Sequence, residues 1–218
     1  MQTKTKRITE SAMLIAMAIV LELVSKAFIP EMPFGGQITL ASMLPVILIS
    51  YRHGVKWGLV AGVAYALMEM VLGARTVAAA FQPGYFGDGR MIGNALIMCL
   101  LDYVAAYTLL GLGGLFRNCV KSKTVALVLG VLVAVGLRYV AHIVSGYIFY
   151  GAWAEWFFSQ EGWFHGFGEW LMARVSGKSL ALIYSIFYNG LYMIPEIIIT
   201  AIVALPISAI RPIKKADA

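Results

Sequence analysis

RYVAHIVSGYIFY, residues Arg138 to Tyr150, puts ionisable side chains inside an otherwise apolar segment. Read as a helix, Arg138, His142 and Ser145 or Gly146 follow the i, i+4 and i+7/i+8 spacing, so they share one stripe. Tyr139, Tyr147 and Tyr150 complete the polar set. An ionisable group at membrane depth is costly and normally faces a bundle interior, a partner charge or a wet cavity, which makes it a candidate site. A structural Arg138/His142 pair bonded to backbone carbonyls is an equally direct reading of the stripe.

The setting of that segment is decided by composition. Of 218 residues, 61% are hydrophobic and only 13% charged, and the mean hydropathy is +0.82, well outside the range of ordinary soluble domains. The chain is an integral membrane protein. Cys99 and Cys119 form no CxxC and have no His at ligand spacing, so neither a disulfide framework nor a metal site is suggested. The net charge of +6 comes from basic residues clustered at the ends of apolar runs, where they act as topology signals, so nucleic acid is discarded as a partner. The apolar run near the N-terminus continues through Glu22 and Lys26 without a cleavage-like site, which reads as a retained first helix.

A spanning helix needs about 20 mostly apolar residues. Six candidates emerge, at residues 9–29, 38–51, 55–73, 91–116, 124–150 and 179–210, the second short and containing Pro45. The expected fold is a single all-α membrane domain over residues 1–218 with six transmembrane helices. Lys4, Lys6, Arg7, Arg52, Lys56, Arg117, Lys121, Lys123, Arg211, Lys214 and Lys215 fall on one side, against Lys26, Arg75, Arg90, Arg174 and Lys178 on the other. That bias places both termini in the cytoplasm.

Other residues divide between packing and chemistry. Ala12 and Ala16 form a small-xxx-small pair that lets another helix approach closely, first read as a contact within the protein. Glu22 and Lys26 pair most simply with each other at i, i+4. Gly35 and Gly36 lie in an outer turn and either admit a ligand close to the backbone or merely connect. Gly54, Gly58 and Gly62 make a packing stripe, and Pro195 bends the last helix. Glu69 is a lesser site candidate. The loop 74–90, rich in Gly, Ala and aromatics, covers a pocket or connects helices. Asp102 is the clearest acid in the outer half of a span, and a buried carboxylate wants a cation, either Arg138 or a positively charged ligand. Trp153, Trp156, Trp163 and Trp170 crowd the outer loop before the last helix, which reads as interfacial anchoring or, more sharply, as a lid. At about 1.5 Å per residue, Asp102, His142, Tyr184 and Asn189 each lie roughly 7 to 16 Å in from the outer end of their helix.

Nucleotide motifs fail on inspection. Gly177-Lys178-Ser179 lacks the glycine a phosphate loop needs, because Met172 stands there, and Phe116 occupies the last glycine position of a dinucleotide fingerprint. An intramembrane enzyme using Asp102 and His142 as acid and base is the reading from another class.

The segments LLDYVAAYTLLGLGGLF (Leu100 to Phe116), LRYVAHIVSGYIFY (Leu137 to Tyr150) and YSIFYNG (Tyr184 to Gly190) resemble the thiamine-specific S component of energy-coupling factor vitamin transporters. PFGGQITLASMLPVILISYRHGVKWG (Pro33 to Gly58) and the TESAMLIAMA start fit the same pattern. The resemblance implies a six-helix protein of the bacterial cell membrane that is not an enzyme and needs no cofactor. Such a protein captures thiamine from outside and docks on one transmembrane subunit with two ATPases. It carries the acidic ligand role to Asp102, with Tyr103 beside it, and the other ligand roles to His142, Tyr150, Tyr184 and Asn189. Ala12 and Ala16 match the docking motif. Tyr150 and Gly36 stand where some members have tryptophan. An S component for another vitamin is the nearest alternative.

Overall fold

The computed structural model describes residues 4–86 and 91–210, and these are folded into helices and connecting turns without strands. Arg90, Arg211, Lys214 and Lys215 of the charge count lie outside the described residues. Helix α1 spans Lys4–Phe28, α2 Leu44–His53, α3 Val55–Leu72 and the short α4 Ala74–Ala80. Helix α5 covers residues 91–117 with changing winding: α over Met91–Met98, π over Cys99–Ala105, α over Ala106–Thr108 and 3₁₀ over Leu109–Arg117. Helix α6, Lys123–Ser145, passes into a π turn at Gly146–Tyr150 and a 3₁₀ turn at Gly151–Trp153. Helices α7 (Ala154–Phe158), α8 (His165–Met172) and α9 (Gly177–Ala209) complete the chain.

Among the described residues, five stretches are long and apolar enough to cross a membrane: Lys4–Phe28, Val55–Leu72, Ile92–Arg117, Lys123–Phe158 and Gly177–Ala209. Three of the expected spans therefore agree to within about two residues at either end, the first starts earlier, at Lys4, and the one expected at 124–150 runs on to Phe158. The expected span 38–51 is corrected: its helix begins at Leu44 and runs for 10 residues, about 15 Å, half of a roughly 30 Å hydrocarbon core. Pro45 accounts for the difference. Its missing N–H is tolerated in the first turn of a helix but not in the interior, and in the structure it sits in that first turn.

Residues 29–43 consequently run irregularly between α1 and α2. Backbone of this kind survives at membrane depth only where it is buried in protein or lines a cavity, and its donors here find side chains. Phe34 N–H donates to the Tyr188 hydroxyl at 2.9 Å, Leu40 N–H to Ser25 Oγ at 2.8 Å, and Thr39 N–H to the buried Glu196 carboxylate. Every residue of α2 from Leu44 to Tyr51 is buried, as expected for a helix that is apolar all round and central in the bundle.

Small residues set how closely the helices pack. A Cβ on Gly58 would collide with the Ser50 side chain and lie 2.8 Å from the Gly111 carbonyl oxygen, and one on Gly62 would lie 2.9 Å from the Thr108 Cα. Gly58 and Gly62 therefore do the packing expected of them, whereas Gly54, with φ of 96°, makes the corner between α2 and α3. The basic helix ends gather at one end of the bundle: Arg52 pairs with Glu10 at 3.1 Å, Arg117 Nη1 donates to the Arg52 carbonyl at 3.0 Å, and the Tyr51 hydroxyl donates to the Lys123 carbonyl at 3.2 Å. Thr124 and Ser208 share a hydrogen bond of 2.7 Å at that same end, which brings the end of α9 beside the start of α6.

Candidate functional site

Toward the opposite end, the helices enclose a cavity of about 110 Å³. All six residues expected to bind a ligand line it: Asp102 and Tyr103 from α5, His142 and Tyr150 from α6, and Tyr184 and Asn189 from α9. Both π-wound segments border it, Cys99–Ala105 carrying Asp102 and Tyr103, and Gly146–Tyr150 carrying Tyr150. Wide turns of this kind cluster at functional sites because the extra residue re-aims side chains.

Asp102 is held but not neutralised by a guanidinium. Its Oδ1 lies 2.9 Å from His142 Nδ1, and its Oδ2 accepts from Ser145 Oγ at 2.6 Å. Arg138 stands one step behind, donating from Nε to His142 Nε2 at 3.2 Å and from Nη2 to the Tyr107 hydroxyl at 2.9 Å, with its guanidinium 4.2 Å from the Tyr107 ring centre. The Tyr107 hydroxyl in turn donates to Glu69 Oε2 at 3.2 Å. The stripe read from RYVAHIVSGYIFY is thus a connected polar chain facing a cavity rather than a pair tied to carbonyls.

Aromatic rings form the wall and the cover. Tyr184 and Tyr188 lie 5.5 Å apart, Phe34 lies 5.9 Å from Tyr150 and 6.1 Å from Tyr188, and Trp153 and Trp156 pack on Phe34 at 5.0 and 5.6 Å. The Tyr188 hydroxyl donates to the Gly35 carbonyl at 3.1 Å, clamping the 33–36 turn against the cavity. All four outer tryptophans are exposed, and Trp163 and Trp170 pack instead on Phe187 and Phe167, at 6.2 and 6.0 Å. The outer tryptophans therefore divide by partner, two packing on Phe34 at the cavity and two on other aromatic rings. In the stretch expected to be a loop, Thr76 of the short helix α4 joins the lining, while Tyr85 packs 6.2 Å from the Tyr150 ring.

Asn189 is largely committed to the protein. Its Nδ2 donates to the His142 and Ser185 carbonyls at 3.2 and 2.9 Å, and its Oδ1 accepts from the Tyr192 hydroxyl at 2.6 Å. Tyr188, Tyr192, Phe34 and Gln37 line the cavity without having been singled out from the sequence. The three tyrosines Tyr184, Tyr188 and Tyr192 at i, i+4 and i+8 were the available signal. Glu22, expected only to pair with Lys26, does so at 3.7 Å but also accepts from Ser42 Oγ at 3.0 Å and lines the cavity with Glu31 and Glu69. Ala12 and Ala16 are exposed on α1 rather than packed into the protein, which overturns the reading of that pair as an internal contact.

The chain is similar to known proteins. A family model described as "Thiamine transporter protein" matches residues 8–84 and 87–162. The thiamine transporter ThiT of Bacillus subtilis (strain 168) is 32% identical over 206 residues, covering 90% of this chain and 87% of that protein. A solved structure of ThiT from Listeria monocytogenes superposes with a TM-score of 0.67 over 98% of this chain and 100% of that one; at 20% identity it speaks for the fold alone.

Proposed function

Because the chain belongs to the thiamine transporter protein family, whose members are multi-pass bacterial membrane proteins that transport rather than catalyse, we propose that its cavity binds thiamine arriving from the outer side. The reading includes six transmembrane segments, with α2 and residues 29–43 together making the second, and both termini in the cytoplasm. The bound vitamin is then delivered inward with an energy-coupling factor module of one transmembrane subunit and two ATPases, which docks on the Ala12/Ala16 face.

One observation carries the binding reading: a carboxylate in the wall of a membrane-embedded cavity makes its protein contacts with His142 and Ser145 and none with Arg138. Thiamine is a cation with two flat rings, so Asp102 offsets its charge while Tyr150, Tyr184 and His142 stack against the rings or donate to their edges. Tyr103 borders the same space, and Asn189 holds the His142 backbone where the rings must pass.

Calorimetric titration of the purified protein with thiamine tests this. Replacing Asp102 by Asn keeps the shape and removes the charge, and the loss of a desolvated charge pair costs about 2 kcal/mol or more, roughly thirtyfold in affinity. Tight binding with unchanged affinity in Asp102→Asn would remove Asp102 from the site. Displacement of thiamine by riboflavin or biotin at equal concentration would reassign the vitamin.

A further inference from the structure

We infer that Arg138 is a positioning residue that sets the tautomer of His142 and thereby keeps Asp102 free to meet a cation. The guanidinium is always protonated and has donors only, so His142 Nε2, 3.2 Å from Arg138 Nε, must accept. The imidazole proton therefore sits on Nδ1, from which it is donated to Asp102 Oδ1 at 2.9 Å. With the proton on Nε2 instead, a ring lone pair would face the carboxylate and a donor would face the guanidinium, two repulsive contacts in a buried setting. Protonation of both nitrogens would likewise set Nε2–H against Arg138 while turning Asp102 into half of an internal ion pair that competes with a cationic ligand.

The groups around His142 bear this out from every side. Arg138 lies below it on α6, Asp102 faces it from α5, and the Tyr192 ring on α9 sits 6.0 Å away edge-on. Asn189 on α9 reaches only the His142 carbonyl. Arg138 is itself fixed by the Tyr107 hydroxyl and by the sulfur of Met43, just before α2, 2.7 Å from Nη1. Tyr107 passes the contact on to Glu69, so the guanidinium has its own counter-charge nearby and has no need of Asp102.

The consequence for thiamine rests on the binding reading above, whereas the tautomer does not. ¹⁵N spectra of histidine-labelled protein in nanodiscs, with the His142 signal identified by its loss in His142→Gln, read the tautomer directly. The wild type is expected to show Nδ1 protonated and Nε2 bare from about pH 8 down to about pH 6. Arg138→Met is expected to shift that signal to imidazolium, with Nδ1 still protonated toward Asp102, and to weaken thiamine binding about tenfold more at pH 6 than at pH 8. Arg138→Lys, which restores a donor, is expected to recover the flat pH profile. A wild-type spectrum with Nε2 protonated overturns the inference even if no variant folds, as does an Arg138→Met loss that is equal at both pH values. If the wild type shows the expected tautomer yet binds no thiamine, the binding reading fails and the positioning role stands.

Discussion

Tyr192 shows how tightly individual positions are specified around the cavity. A Cβ at Gly36 would lie 2.8 Å from the Tyr192 ring carbons Cδ1 and Cζ, and Gly36 also holds φ at 89°, so a turn and a ring share one space that only glycine allows. The Tyr192 hydroxyl, meanwhile, satisfies the buried Asn189 Oδ1 at 2.6 Å. Tyr192→Phe leaves that oxygen orphaned, so thermal unfolding in detergent is expected to show a stability loss of about 1–3 kcal/mol; an unchanged transition would mean the bond carries no weight. Asp102 and His142 were legible in the sequence because a charge within an apolar run has no routine explanation. Tyr188 and Tyr192 were not, because a tyrosine on an apolar helix is already explained by packing, and only the cavity distinguishes the two roles. Asp102's partner was likewise beyond sequence reasoning: Arg138 and the ligand were both admissible, and the structure interposes His142 between acid and guanidinium.

Helices carry a different kind of information. Apolar length located the five long spans, since nothing but a helix can satisfy its own backbone across lipid. Length alone could not show that residues 38–43 are non-helical, because irregular backbone whose donors are met by Glu196 and Ser25 is as apolar in sequence as a helix. Nor could a 3.6-residue period reveal the π turns at Cys99–Ala105 and Gly146–Tyr150, which are settled by packing around the cavity. The 3₁₀ winding of Leu109–Arg117 coincides with Gly111, Gly113 and Gly114, all buried against neighbouring helices. Gly58 sits at the centre of that contact, facing both Ser50 of α2 and Gly111 of α5. Gly58→Val must push three helices apart, and overpacking of this sort costs about 1–3 kcal/mol or more. A lowered melting temperature together with weaker thiamine binding is the expected pair of results, because α5 carries Asp102; wild-type values for both would show that α3 and α5 can separate without cost.

Unlike a soluble protein, the bundle as a whole is apolar on its exterior as well as in its core, and α1 goes further by burying mostly polar residues. Its buried residues are Ser11, Ala18, Glu22 and Ser25, three of them polar and bonded to Trp57, Ser42 and Leu40 of the neighbouring segments. Its outward face carries Met13, Met17, Val20 and Phe28, with Ala12 and Ala16 between them. Comparable apolar residues stand exposed on α3, α5, α6 and α9, such as Val60, Leu96, Leu132 and Ile198, so lipid alone explains most of the exterior. What sets α1 apart is the pair of alanines one turn apart, a flat strip on which a second helix can lie closer than any leucine-covered face permits. Ala12 and Ala16 are absent from the cavity lining, so their replacement separates docking from binding. The double variant Ala12→Trp/Ala16→Trp is expected to hold thiamine with affinity within about twofold of wild type, since only distant contacts change. Co-purification with the transmembrane subunit and thiamine uptake into cells should both be lost, because each indole fills the groove the partner helix needs. Uptake at the wild-type rate by that variant would move the docking surface to another face of the bundle.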